Sequence, residues 1–182
     1  MSCREEIQDV FKSMVLSSIP NISVSLICQK VNISRKTFYK YYDNIQDLIH
    51  KIIQEDIFIP LTELSTMNHI KVEDSITVLN SMYSSIYNHR EFYKKLYYMY
   101  PKENILGHCI YQENLNLNKT IFKQIKEKDI EKEYHIHLAA MSGVNLLEKW
   151  ILDDFSLSSR EISEIFYKHV VRAWVELLDQ YR

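Results

Sequence analysis

Apolar residues recur every three or four positions along most of this chain, a spacing that places them on one face of an α-helix. The first stripe predicts a helix from about Arg4 to Ser18 and is formed by Ile7, Val10, Phe11 and Met14. Pro20 follows it, and proline cannot continue a helix. The pattern therefore opens on one amphipathic helix with a defined end.

The next segment predicts two short helices joined by a tight turn. Ser23 is a good N-cap for a helix from Val24 to Lys30. A turn at Val31-Asn32-Ile33 follows, because asparagine tolerates the left-handed backbone that such a turn needs. Ser34 can cap a third helix that runs to about Tyr41. A fourth helix is predicted from near Ile45, and Pro60 should end or kink it.

The same pattern fills the rest of the chain. It predicts helices over about 72–87, 90–100, 102–127 and 130–153, with Asn88 and Glu91 as a cap for the second of these. A last helix begins at the capping box Ser158–Glu161. With only two glycines and three prolines, the chain lacks the turn residues of sheet-rich folds. We expect an all-α protein of about nine helices, with a helix-turn-helix domain over residues 1–50 and a helical regulatory and dimerisation domain over residues 51–182.

Charge is distributed unevenly between these two parts. The net charge is −2, but residues 1–51 carry seven Lys or Arg against five Asp or Glu, and no acidic residue occurs between Val10 and Tyr42. The remainder has fifteen basic and nineteen acidic residues. A polyanion should therefore bind at the N-terminal part.

Several classes of protein are disfavoured. Three widely separated cysteines without a Cys-x-x-Cys pair fit neither a disulfide framework nor a zinc ribbon, so we expect a cytoplasmic protein. No apolar run approaches the ~20 residues of a membrane span. The chain has no Gly-rich phosphate loop, nucleophile elbow or pair of catalytic carboxylates, so we expect neither an enzyme nor a bound cofactor or metal.

The two short helices and their turn have the residue types that a helix-turn-helix needs. The second helix must present long donors and small polar groups to the major groove, and Ser34, Arg35, Lys36 and Lys40 supply them. Ile33 and Phe38 can pack against the preceding helix. A helical hairpin with a solvated basic face is the alternative interpretation of this pattern.

Residues 23–48 also resemble the DNA-binding motif of the TetR family of transcriptional regulators. The positions in register are Ser23-Val24, Ile27-Cys28, Val31-Asn32-Ile33-Ser34, Thr37-Phe38-Tyr39, Tyr41-Tyr42 and Leu48. The resemblance implies phosphate contacts by Thr37, Tyr39 and Tyr41, and a helix-turn-helix over about 23–42. We expect the DNA-binding residues to be Ser34, Arg35, Lys36, Thr37, Tyr39, Lys40, Tyr41 and Tyr42.

Two positions depart from that family's pattern. Asn32 stands where the turn usually has glycine, and Ile45 stands where the family commonly has a phosphate-binding lysine. The missing charge should reduce the slope of log affinity against log salt concentration by about one unit.

The C-terminal part resembles the family at Met141-Ser142-Gly143-Val144, Trp150 and residues 155–161. The resemblance implies that the last two helices of two subunits form a four-helix bundle. We expect a homodimer with an interface at Gly143, Leu147, Trp150, Val170, Trp174 and Leu177. Core packing in a monomer is the alternative.

Tyrosines are concentrated in the middle helices, and a core fills poorly with tyrosine unless each hydroxyl has a partner. We expect a pocket for an unknown small-molecule effector, lined by Tyr83, Tyr87, Tyr93, Tyr97 and Tyr111, with a polar-edged core as the alternative. The predicted function is a ligand-responsive dimeric repressor that binds a double-stranded DNA operator. A TetR-like coactivator or adaptor and a helical small-molecule-binding protein are the rival hypotheses.

Overall fold

The computed structural model describes residues 2–60, 72–121 and 129–172, and these ranges contain helices and no strand. Nine α-helices follow one another in them: α1 Cys3–Leu16, α2 Val24–Val31, α3 Arg35–Phe38, α4 Ile45–Ile53, α5 Val72–Asn88, α6 Arg90–Met99, α7 Ile105–Ile121, α8 Asp129–Leu152 and α9 Ser159–Phe166. Single π-helical turns extend α4 over Gln54–Phe58 and α9 over Tyr167–Val171. The predicted fold class is confirmed.

Serine caps begin several of these helices. The predicted capping box at Ser158 is present: its Oγ accepts from the Glu161 amide at 3.3 Å, and Glu161 Oε2 accepts from the Ser158 amide at 2.8 Å. The predicted cap of α6 is wrong, because the N-cap is His89 and it makes no side-chain cap hydrogen bond.

The helices of the N-terminal head, α1 to α4, surround an apolar core. Phe11, Phe38, Leu48 and Ile49 are fully buried there. The same hydrophobic cluster continues into the body, α5 to α9, through residues such as Ile57, Tyr93 and Trp150. The two parts therefore share one core, and the boundary after residue 50 stays a prediction.

A polar seam joins α1 to the π-turn after α4. Arg4, Gln8 and Lys12 lie one helical turn apart, so they project from the same face of α1. Arg4 forms an ion pair with Glu55, Gln8 Nε2 donates to Glu55 Oε2 at 3.1 Å, and Lys12 Nζ donates to Asp56 Oδ1 at 2.9 Å. This seam sets the position of α1 against the entry to the body.

Within the described ranges, no helix is both long enough and apolar enough to cross a bilayer.

Candidate nucleic-acid interface

The turn between α2 and α3 depends on Asn32. This residue has φ 57° and ψ 47°, in the left-handed region. The turn lets the Ile33 amide donate to the Cys28 carbonyl at 3.0 Å, which satisfies the end of α2. Asparagine thus takes the conformation for which glycine is the usual residue.

Helix α3 begins at a serine cap. Ser34 Oγ accepts from the Thr37 amide at 3.1 Å and lies 2.9 Å from Thr37 Oγ1. The α-helix proper covers one turn, and the chain then continues through a turn at 39–41, where the predicted helix was longer. Phe38, on the inner side, is completely buried and anchors α3 to the head.

Most of the residues predicted to bind DNA lie together on the outer side of α3. Ser34, Arg35, Lys36, Tyr39 and Lys40 are exposed, and Thr37 and Tyr41 are half-buried. We call this set of residues, which belongs to α3, its cap and the turn that follows it, the α3 face.

Tyr42 does not belong to this face, so its predicted DNA contact is wrong. Its side chain is 1% exposed and its ring packs 5.5 Å from that of Phe38. Its hydroxyl donates to the Arg4 carbonyl at 3.4 Å, and burial raises the pKa of the phenol. A tyrosine ring is apolar enough to enter the core when its hydroxyl finds a partner there.

The long side chains of the α3 face differ in how they are held. Arg35 Nη2 donates to the Tyr39 hydroxyl at 3.3 Å, and the guanidinium carbon lies 6.0 Å from the centre of the Tyr39 ring. Lys36 and Lys40 form no hydrogen bond or ion pair with any residue of the described ranges. Their ammonium groups are available to an anion.

The start of α4 is acidic where the resemblance leads one to expect a lysine. Asn44 Oδ1 accepts from the Asp47 amide at 2.9 Å, and Asp47 Oδ2 accepts from the Asp43 amide at 2.9 Å. Ile45 is half-buried against the hydrophobic core. A phosphate would meet carboxylates at this helix N-terminus.

Lys51 is a functional candidate that the sequence analysis missed. Its Nζ donates to the Tyr41 carbonyl at 2.8 Å and to Asp47 Oδ2 at 3.0 Å, and lies 5.3 Å from the centre of the Tyr42 ring. The i, i+4 spacing from Asp47 was the available signal. Lys51 neutralises Asp47 and ties α4 to the end of the helix-turn-helix.

A second polar cluster joins the head to the body. Glu113 on α7 is buried, and its Oε1 accepts from Gln54 Nε2 at 2.8 Å and lies 2.6 Å from His50 Nε2. Helix α4 therefore carries the helix-turn-helix on one side and contacts the body on the other.

Three of the residues predicted for a dimer interface lie inside one protomer instead. Leu147 and Trp150 are buried, and Trp150 Nε1 donates to the Leu157 carbonyl at 2.9 Å. A Cβ at Gly143 would lie 2.6 Å from Asn114 Nδ2, so this glycine permits close packing of α8 on α7. Of the others, Val170 is half-buried, and Trp174 and Leu177 lie outside the described residues.

The tyrosines predicted to line a pocket are packed against other side chains of the body. Tyr83 and Tyr87 contact the Trp150 ring at centroid distances of 5.7 and 5.9 Å. Tyr93 is fully buried, Tyr97 packs on Tyr98, and the Tyr111 hydroxyl lies 2.7 Å from His137 Nδ1. None of the five lines either of two clefts that lie between head and body, of about 450 and 270 Å³. The polar-edged core is the better description of these rings.

The larger cleft is mainly apolar and lies between the loop after α1 and helix α6. Its lining residues are Ser18, Ile19, Pro20, Glu91, Lys94, Lys95, Tyr98 and Met99. The smaller cleft is polar and lies between the start of α4 and the start of α7, with Asp47, His50, His108 and Cys109 in its wall. Both adjoin elements that hold the helix-turn-helix.

Comparison with known proteins finds an informative likeness among solved structures. No protein-family model matches the chain, and its sequence matches no curated protein. Among solved structures, the chain is similar to the dihydroxyacetone kinase operon activator DhaS, with 23% sequence identity and a TM-score of 0.60, over 98% of this chain and 96% of that one. The likeness extends over both the head and the body, and it shows that this chain has the fold of DhaS.

Proposed function

We propose that this protein is a sequence-specific DNA-binding transcriptional regulator. The observation that carries the proposal is the α3 face, where exposed Arg35, Lys36 and Lys40 lie on a helix and its following turn, which a tight turn before the helix and a buried phenylalanine hold at the surface. An acid-free basic surface of this kind suits a phosphate backbone, and the start of such a helix suits the major groove. DhaS, which has the same fold, is described as an operon activator, and the resemblance to the TetR family agrees with this assignment.

Selection of DNA fragments by the full-length protein, followed by anisotropy titration, tests the proposal. We expect a preferred sequence that binds at least a thousandfold tighter than random DNA at equal salt. The variant Arg35→Ala/Lys36→Ala should lose this preference while remaining folded, because both side chains are exposed. Equal binding of the wild-type protein to selected and random DNA would contradict the proposal.

We propose a homodimer, with an interface different from the one predicted from the sequence. One side of α8 carries exposed apolar residues at intervals of four, four and three positions: Ile130, Tyr134, Leu138 and Met141. Their spacing is that of a helix-packing seam, and isolated soluble chains seldom leave such a stripe in water. A second copy of α8 is the simplest complement, because a two-fold axis brings the same stripe against itself. A two-fold dimer would carry two α3 faces, which is the number that a DNA site with two half-sites requires.

We propose that a small-molecule effector acts at the junction between head and body. None of the five tyrosines lines either of the two described clefts, and these clefts adjoin α4 or the end of α1. A compound bound in either would bias the position of the recognition helix.

As for the sign of regulation, we propose repression by occlusion of a promoter. A reporter with the selected sequence between promoter and gene distinguishes repression from activation.

A protein-binding adaptor is the second candidate, and the start of α4 is the observation that favours it. Asp43 and Asp47 occupy the place where a phosphate contact is expected, and Ile45 supplies no charge. An adaptor would bind neither selected nor random DNA at physiological salt, so the same titration separates the two candidates.

A further inference from the structure

We infer that Arg35 reads a guanine in each half of the DNA site, and that Tyr39 holds the guanidinium in its reading orientation. The inference rests on the proposed DNA-binding function and assigns the base-specific part of it. The observation behind it is a chain of contacts from the core of the head to the surface of α3.

The chain begins at Phe38, which is fully buried. The Tyr39 ring packs edge-to-face on it, with centroids 5.6 Å apart and planes at 89°. The Tyr39 hydroxyl in turn accepts from Arg35 Nη2 at 3.3 Å. The core therefore positions Tyr39, and Tyr39 positions Arg35.

The other polar side chains of the α3 face lack this arrangement. Ser34 and Thr37 bond to each other through their hydroxyls, at 2.9 Å. Lys36 and Lys40 are exposed and make no hydrogen bond within the described ranges. An ammonium group on a flexible stem suits a phosphate, because it acts as a point charge and needs no fixed direction.

Arg35 is also in the right place and has the right chemistry. It is the first residue of α3, and the N-terminal residues of a recognition helix are the ones that contact base edges. A guanidinium has five N–H donors, and the bond to Tyr39 uses one of them, which leaves a planar pair for another partner. In the major groove, guanine presents two acceptors side by side, O6 and N7, whereas adenine replaces O6 with a donor. A pre-oriented guanidinium therefore selects guanine.

The test uses 7-deazaguanine, which lacks the N7 acceptor and leaves Watson–Crick pairing intact. Each guanine of the selected sequence is replaced in turn, symmetrically in both halves, and the dissociation constant of the full-length protein is measured. At one guanine we expect wild-type affinity to fall roughly 5- to 150-fold. Arg35→Ala should bind the natural and modified sites equally.

Two further variants separate the roles. Lys36→Ala removes the same charge from the neighbouring position, and it should weaken binding to selected and random DNA alike while remaining sensitive to the modified guanine. Tyr39→Phe keeps the ring and removes the hydroxyl, so the ratio of its affinities for the natural and the modified site should fall several-fold relative to the wild-type ratio.

The outcomes distinguish this inference from the proposed function. A preferred sequence in which no guanine depends on Arg35 overturns the inference alone. Full sensitivity in Tyr39→Phe overturns the positioning role of Tyr39. Failure to recover any preferred sequence overturns the proposed function and the inference with it.

Discussion

His50 Nε2 and Glu113 Oε1 lie 2.6 Å apart, and through this contact the helix that follows the helix-turn-helix meets the body of the protein. Glu113 is buried and also accepts from Gln54 at 2.8 Å. A buried carboxylate is tolerated only when its oxygens are paired. The cluster is therefore a specific joint between α4 and α7.

Truncation of this carboxylate should destabilise the protein. We expect Glu113→Ala to lower the free energy of unfolding by about 1–3 kcal/mol, because the half-buried polar groups of His50 and Gln54 lose their partner. Urea denaturation measures the change. Glu133→Ala, on an exposed site of α8, is the control and should stay within about 0.5 kcal/mol of wild type. If the free energy of unfolding of Glu113→Ala is as close to the wild-type value as that of Glu133→Ala, the joint contributes no stability.

Restoring the lysine that the family resemblance leads one to expect should strengthen DNA binding. We expect Ile45→Lys to raise affinity at low salt, and to steepen the slope of log affinity against log salt by about one unit for each added phosphate contact. Anisotropy titrations at several salt concentrations measure both. Ile45→Met, which keeps the apolar packing of this half-buried residue, is the control. An unchanged slope in Ile45→Lys would mean that the start of α4 lies away from the phosphates.

A charge on the exposed stripe of α8 should separate the subunits without unfolding them. Leu138 is 59% exposed in the protomer, so Leu138→Glu places its carboxylate in water when the subunits are apart and in an apolar seam when they are together. We expect sedimentation to show a dimer for wild type at micromolar concentration and a monomer for the variant, with equal helicity by circular dichroism. Glu133→Gln, on another side of the same helix, should remain dimeric. A wild-type monomer would refute the proposed interface.

The three cysteines should differ in reactivity. Burial and the nearby Glu113 carboxylate raise the pKa of Cys109 to about 11, and burial raises the pKa of Cys28. Because the thiolate is the reactive form, both should react slowly with a disulfide reagent at pH 8. Cys3 is half-buried and should react first. Reaction traces in buffer and in denaturant measure this, and Cys3→Ser should remove the fast phase. A fast phase that persists in Cys3→Ser would show that the core around α2 or α7 opens readily.

Local signals accounted for most of the helices. Serine caps at 23, 34 and 158 and apolar stripes are properties of neighbouring residues, so they can be read without knowledge of the tertiary fold. The same signals located the α3 face.

Assignments that depended on tertiary packing failed. Tyr42 is a residue type that can contact DNA, and it stands next to the predicted DNA-binding residues in the sequence. The fold nevertheless places it in the core. Helix α8 has apolar residues on two sides, and its pattern cannot tell which side meets its own protomer; Trp150 is on the inner one and Leu138 on the outer. The π-turn at Gln54–Phe58 depends on contacts with α1 and α5, including the bond of 2.7 Å from Ser85 Oγ to the Asp56 carbonyl.

The seam between α1 and the π-turn bears on the design of chimeric proteins that contain this head. A head grafted onto a foreign body by a cut after residue 50 would leave behind Glu55 and Asp56, the partners of Arg4, Gln8 and Lys12. Its first helix would then lose the contacts that orient it. A transplant that ends after Phe58 carries both halves of the seam and the complete π-turn, so we expect it to keep its first helix in place.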